Sequence, residues 1–178
     1  MHLDEKTLSS EQKFDGIVVK LFVDTVELED GRTATREVIK HPGGVCVVPV
    51  DGEGNIYMVK QFRYPFATQL LEIPAGKLEY GEDHRTCGLR ELKEEIGAEA
   101  GSFEYMGCLY PTVAYDTEII HMYLARDLSF GDRHLDQDEF IDVIKLPFDE
   151  ALAGVFEGRY PDAKTQLAIL KAAKLLGK

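Results

Sequence analysis

The sequence has no tryptophan, only three cysteines, and no apolar run long enough to cross a bilayer. Cys46, Cys87 and Cys108 are widely spaced, so no zinc-type pair forms, and an odd count leaves one without a disulfide partner. Each reads as a small core residue in a reducing compartment. Cations are scarce too: 20 Lys and Arg stand against 32 Asp and Glu, a net charge of −12. That deficit argues against a nucleic-acid polymer as partner, because phosphate chains need a basic surface. It leaves room for a small anion, since a bound divalent cation inverts the field of an acidic site. Met1 to Lys13 is polar and lacks the apolar stretch of a secretory leader. The expectation is a cytoplasmic protein with no membrane partner.

What is present is ordinary globular material. With 178 residues, 44% of them hydrophobic, the chain can bury a core without staples. Phe14 to Leu28 is rich in Val, Phe and Thr and reads as a strand. Glu29-Asp30-Gly31-Arg32 turns it back into Thr33 to Ile39, an N-terminal β-hairpin. Gly44 to Val50 and Ile56 to Phe62, joined by Asp51-Gly52-Glu53-Gly54-Asn55, read as a second hairpin. Leu70 to Ile73 is a short extended piece. Asp83 to Ile96 is helical, with Leu89, Leu92 and Ile96 at i, i+3 and i+7 and Gly97 as the stop. Phe103 to Leu109, Glu118 to Ala125 and Phe140 to Leu146 are further strands, and helices follow near Phe148 to Val155 and Ala163 to Leu176. Tyr110, Tyr115 and Tyr123 read as sheet residues, and His84 and His121 as structural or exposed. The expected class is α+β, a mixed sheet sandwiched between helices with an N-terminal hairpin. Residues 1–40 are expected to form an N-terminal segment and 41–178 the main domain.

The chemistry concentrates between Gly76 and Ala98. Gly76, Glu82, Arg90, Glu91, Leu92, Glu94, Glu95 and Gly97 fit G-x5-E-x7-R-E-U-x-E-E-x-G-U, with Ala98 smaller than the usual last aliphatic. Seven fixed residues at roughly 5–7% frequency match by chance at a given start about once in 10^8. On a helix Glu91 and Glu95 stand at i and i+4 on one face and Glu94 borders it, an arrangement that repels itself unless a cation intervenes. A solvated acidic face would account for Glu-Leu-Lys-Glu-Glu alone, but not for Gly76, Glu82, Arg90 and Gly97 in register. Mg²⁺ suits such oxygen ligands and keeps water and phosphate in its shell; Mn²⁺ favours them equally. Arg90 should point elsewhere on the helix, orienting a carboxylate such as Glu72 or Glu82.

This pattern is the Nudix box, and the chain resembles the Nudix hydrolases. Val59-Lys60-Gln61-Phe62-Arg63-Tyr64-Pro65, Leu71-Glu72-Ile73-Pro74-Ala75-Gly76, Leu109-Tyr110-Pro111 and Leu135-Asp136-Gln137-Asp138-Glu139-Phe140-Ile141 are similar to the ADP-ribose pyrophosphatase branch. The resemblance implies Mg²⁺-dependent hydrolysis of ADP-ribose to AMP and ribose 5-phosphate. It implies that Glu91, Glu94, Glu95 and the Ala75 carbonyl bind divalent ions. Glu139 would be a mobile-loop metal ligand or general base, Arg63 a contact to the diphosphate, and Arg36 a substrate contact reached across a dimer interface. Glu118 would orient substrate or a helix. It also implies a homodimer built through residues 1–40. GDP-mannose or another nucleoside diphosphate sugar is the alternative substrate. A non-catalytic ligand-binding module is the rival from another class, disfavoured because all three box glutamates are present.

Overall fold

The computed structural model describes residues 3–135 and 140–178. It divides into two compact units, residues 1–43 with 110–119, and residues 44–109 with 120–178. The first unit is an antiparallel meander of β1 (Lys6–Asp15), β2 (Lys20–Glu27) and β3 (Thr33–Lys40). The expected hairpin is β2–β3. Its first strand is shorter than the sequence reading because Gly16 to Val19 turns the chain: the Gly16 N–H donates to the Val19 carbonyl at 2.9 Å. The polar stretch before it, which carries no apolar alternation, pairs as β1. Residues 110–119 join this unit through Ile39, which exchanges backbone hydrogen bonds with Tyr115 and Thr117.

The second unit holds two sheets. One has the order β7-β4-β9-β8, from β4 (Gly44–Pro49), β7 (Ala75–Lys77), β8 (Ala98–Leu109) and β9 (Ile120–Phe130). It is mixed, with β4 and β9 parallel and the other pairs antiparallel. The other has the order β10-β5-β6, from β5 (Asn55–Arg63), β6 (Thr68–Glu72) and β10 (Asp142–Pro147). The expected second hairpin is therefore not one. β4 and β5 enter different sheets, and an isolated bridge links Val50, just past β4, to Ile56. Each is instead an interior strand of its own sheet, β4 between β7 and β9 and β5 between β10 and β6.

The helices are α1 (His84–Ile96), α2 (Phe148–Phe156) and α3 (Ala163–Leu176). Alternate residues of β4 and β9 feed two separate cores, because successive side chains leave a strand on opposite faces. Val45, Val47, Tyr123 and Ala125 pack with Cys87, Leu92 and Ile96 of α1. Cys46, Val48, Met122 and Leu124 pack with Phe148 of α2 and Ile169 and Ala172 of α3. Helices on both faces explain why β4 is buried at every position. Cys46 and Cys87 are buried as expected, whereas Cys108 is exposed. Tyr123 lies in β9, but Tyr110 and Tyr115 lie outside any strand, in the connection between β8 and β9. Among the described residues no helix is long and apolar enough to cross a membrane.

Candidate active site

The helix α1 begins and ends where its residues dictate. Asp83 caps it, its side chain accepting from the N–H groups of Arg85 and Thr86. Gly97 ends it at φ 70°, a left-handed conformation in which a side chain would be strained. Between these caps the helix turns Cys87, Leu92 and Ile96 into the core, and the same rotation carries Glu91 and Glu95 inward. Glu91 is 8% exposed and Glu95 only 2%.

Two buried carboxylates need partners, and the Ala75-Gly76 backbone meets them. The Ala75 N–H donates to Glu95 Oε2 at 3.0 Å. Gly76 runs so close to Glu91 that any Cβ there would overlap its carboxylate. Glycine is thus required by contact with the helix, not by a turn. The segment is fixed on its other side by β4, through the pairing of Cys46 with Ala75 and Val45 with Gly76. The Val47 N–H also donates to the Pro74 carbonyl.

Arg90 corrects the sequence reading in part. It does not point away from the box. Its Nε donates to Glu82 Oε1 at 3.0 Å, and Nη1 donates to Glu91 Oε1 and Glu94 Oε2, both at 2.8 Å. Glu82 is the carboxylate it orients, as anticipated, and its guanidinium holds the Glu82 carboxyl below the usual range. Glu72 is not one of its partners. That residue, 1% exposed, accepts a fork of bonds from Arg63, 2.7 Å from Nε and 2.8 Å from Nη2, and a third from Lys164 Nζ at 2.5 Å. Burial works to raise the Glu72 carboxyl, but Arg63 and Lys164 together carry it below its ordinary value.

Of the remaining residues singled out by sequence, Arg36 and Glu118 belong to the first unit. Arg36 is forked onto Glu5, and Glu118 lies 3.6 Å from His41 Nδ1. Glu139 lies outside the described residues. Glu91, Glu94, Glu95, Ala75 and Arg63 all belong to the second unit. Arg63 is kept charged by Glu72 first, and the fields of Asp162 and Glu95 also reach it.

Sequence reasoning missed Lys164 and Thr165, which reach this segment from α3. The Ile73 N–H donates to Thr165 Oγ1 at 3.1 Å. Asp162 followed by Thr165 reads as a helix cap, but nothing local ties it to Glu72. It also missed that His84 and His121 stack with ring centroids 3.9 Å apart. His84 Nδ1 lies 2.5 Å from the Tyr123 hydroxyl, so the stacked pair packs where α1 begins.

Among the described residues no three His, Cys, Asp or Glu side chains already form a metal cage. The donor set nevertheless fits a hard divalent ion. Glu91 and Glu95 meet the Ala75-Gly76 backbone and Glu94 shares Arg90 with Glu91, so the three offer only oxygen from one helix, and Mg²⁺ ordinarily takes few protein ligands beside water and phosphate.

Comparison with known proteins identifies the family. The NUDIX domain matches residues 40–167, and the nucleoside diphosphate sugar hydrolase N-terminal domain matches residues 5–39. A methanol dehydrogenase activator of Bacillus methanolicus is 47% identical over 168 residues, covering 93% of this chain and 91% of the relative. An ADP-ribose pyrophosphatase of Bacillus subtilis (strain 168) is 45% identical over 169 residues, covering 94% and 91%. A crystal structure of an ADP compounds hydrolase superposes with a TM-score of 0.86 at 18% identity, covering 98% of this chain and 95% of that one, which establishes the shared fold. The chain belongs to the Nudix hydrolase family.

Proposed function

We propose that the chain hydrolyses the diphosphate bond of ADP-ribose, giving AMP and ribose 5-phosphate, with Mg²⁺ or Mn²⁺ bound by Glu91, Glu94, Glu95 and the Ala75 carbonyl. The observation that carries this reading is the pressing of Glu91 and Glu95 against the Ala75-Gly76 backbone. A divalent ion held there would supply positive charge against the charge that develops on the diphosphate. The protein's part is to hold its carboxylates where that charge is wanted before substrate arrives, which lowers the reorganisation needed in the transition state. Glu95 is fixed by the Ala75 N–H. Glu91 and Glu94 are fixed by Arg90, which also balances their charge.

Arg63 contributes a planar fork suited to a diphosphate. It is committed to Glu72 in this structure, so binding substrate means exchanging one anion for another. The same holds for Arg36, which gives up Glu5 if it engages substrate. Glu118 would orient the substrate, and Glu139 would act as a further metal ligand or as the base that takes the proton of the attacking water. ADP-ribose is favoured over other nucleoside diphosphate sugars by the 45% identity to an ADP-ribose pyrophosphatase along nearly the whole chain. A homodimer built through residues 1–40 completes the proposal, and light scattering tests it.

The activity is tested with ADP-ribose, GDP-mannose, NADH and nucleoside triphosphates, each with Mg²⁺, scoring monophosphate release. Preferential formation of AMP from ADP-ribose is expected. Preference for another member would keep the chemistry and overturn the substrate. Silence across the panel, with EDTA leaving thermal stability unchanged, would point to a ligand-binding module.

A further inference from the structure

Glu72 is the most deeply buried acid of the described chain, its side chain 2% exposed, and it has two cationic partners on different elements. Arg63, at the end of β5, is 37% exposed and forks onto both carboxylate oxygens. Lys164, in the first turn of α3, is 12% exposed and bonds one of those oxygens at 2.5 Å and Asp162 at 3.0 Å. Burial works to lower the Lys164 ammonium, but Asp162 and Glu72 keep it above its ordinary value, so it is charged. One cation is therefore fixed and internal, while the other is at the surface and within the field of Glu95.

A single buried carboxylate with a single partner would hold that partner fast, because releasing it leaves an unpaired buried charge. Glu72 with two partners does not carry this constraint. We propose that Lys164 is a positioning residue for catalysis: it keeps Glu72 neutralised so that Arg63 can leave it for the substrate's diphosphate. The inference rests on the proposed contact between Arg63 and the diphosphate. Lys164 itself touches no substrate. It sets the free-energy cost of the exchange that Arg63 makes at each turnover. Thr165, next in sequence, holds the Ile73 N–H, so the same turn of α3 fixes both the carboxylate and the backbone that leads to Ala75.

The consequence appears in KM. In Lys164→Met, Arg63 is the remaining cation on Glu72 and resists exchange, so KM for ADP-ribose rises about tenfold while kcat changes less. Lys164→Arg keeps the charge and recovers most of the loss. A merely structural Lys164 would not be rescued by removing a second buried group, and this separates the two accounts. Once Glu72 is glutamine, Lys164 keeps its partner Asp162 but has no charge on residue 72 to neutralise, so Lys164→Met/Glu72→Gln should match Glu72→Gln in KM within about threefold. This comparison uses a neutral pair and stands even if Lys164→Met alone fails to fold.

Wild-type KM in Lys164→Met, or a double variant markedly worse than Glu72→Gln, would overturn the proposal. Arg63→Met is measured in parallel to separate it from its premise. If that variant keeps wild-type KM, the contact of Arg63 with the diphosphate is wrong and the inference falls with it. If its KM rises while Lys164→Met stays normal, only the role of Lys164 is refuted.

Discussion

Removing Arg90 is the perturbation whose cost can be worked most directly from the geometry. One guanidinium bonds three carboxylates, Glu82, Glu91 and Glu94, at 2.8 to 3.0 Å. In Arg90→Met those groups keep their burial and lose their counter-charge. Breaking a fully buried pair costs about 3–5 kcal/mol, whereas an exposed pair is worth about 0–1 kcal/mol. The Arg90 side chain is 31% exposed, and those of Glu82 and Glu91 are 12% and 11% exposed. Solvent therefore screens part of the interaction, and a loss of about 2 kcal/mol is the expected middle. For a chain of this length each kcal/mol shifts Tm by about 2–4 °C, so Tm should fall by about 4–8 °C in EDTA. A divalent ion can replace the missing charge. Mg²⁺ at millimolar concentration should accordingly raise the Tm of Arg90→Met by more than it raises that of the wild type. A Tm within a degree of wild type, or an equal or smaller gain from Mg²⁺, would refute the idea that Arg90 is the resident counter-ion of the acidic helix face.

Two further outcomes follow from other contacts of the second unit. Gly97→Ala places a Cβ at φ 70° and 2.6 Å from the Gly131 carbonyl oxygen; the left-handed conformation alone costs about 1–2 kcal/mol. Thermal denaturation should show a fall of several degrees, and an unchanged Tm would mean that the helix end can shift freely. The Glu72 carboxyl lies below its ordinary value in the folded chain, so the unfolded state binds its proton more readily. Its contribution is complete above the unfolded value of 4.5 and is lost as pH falls through the lower folded value. Urea denaturation should show an acid limb beginning below that pH that Glu72→Gln flattens, and an identical limb in both proteins would remove Glu72 as its source.

How far the sequence carried this account depended on whether the signal was local. The helix α1 was legible because Asp83, Leu92, Ile96 and Gly97 act within one helix. The box residues follow from the same register, since helical rotation alone puts Glu91 and Glu95 on one face. The pairing of strands was harder. A short loop between two apolar strands normally marks a hairpin, yet β4 and β5 part because each finds better partners far along the chain: β9 for one, β10 for the other. The turn at Gly16 and the strand β1 carry no apolar alternation to read. In the site, Glu72 stood in plain view as an acid inside the apolar run Leu70 to Ile73. Its two cations could not be assigned, because the Lys164 contact spans much of the chain and depends on where α3 lands. Arg90 was misdirected for a related reason: adjacency to Glu91 suggests divergent faces, but a long guanidinium reaches across them.

The measurement closest to the central claim is the turnover of ADP-ribose by Glu95→Gln at saturating Mg²⁺, beside its circular dichroism and Tm. Glutamine preserves an acceptor for the Ala75 N–H and removes the negative charge, so the fold should persist with Tm within a few degrees. If Glu91, Glu94 and Glu95 hold the catalytic ion, kcat should fall by a factor on the order of 10^2 or more, comparable to loss of one preorganised group in the transition state. A folded Glu95→Gln protein turning over at a rate near that of the wild type would contradict the assignment of this helix face as the active site.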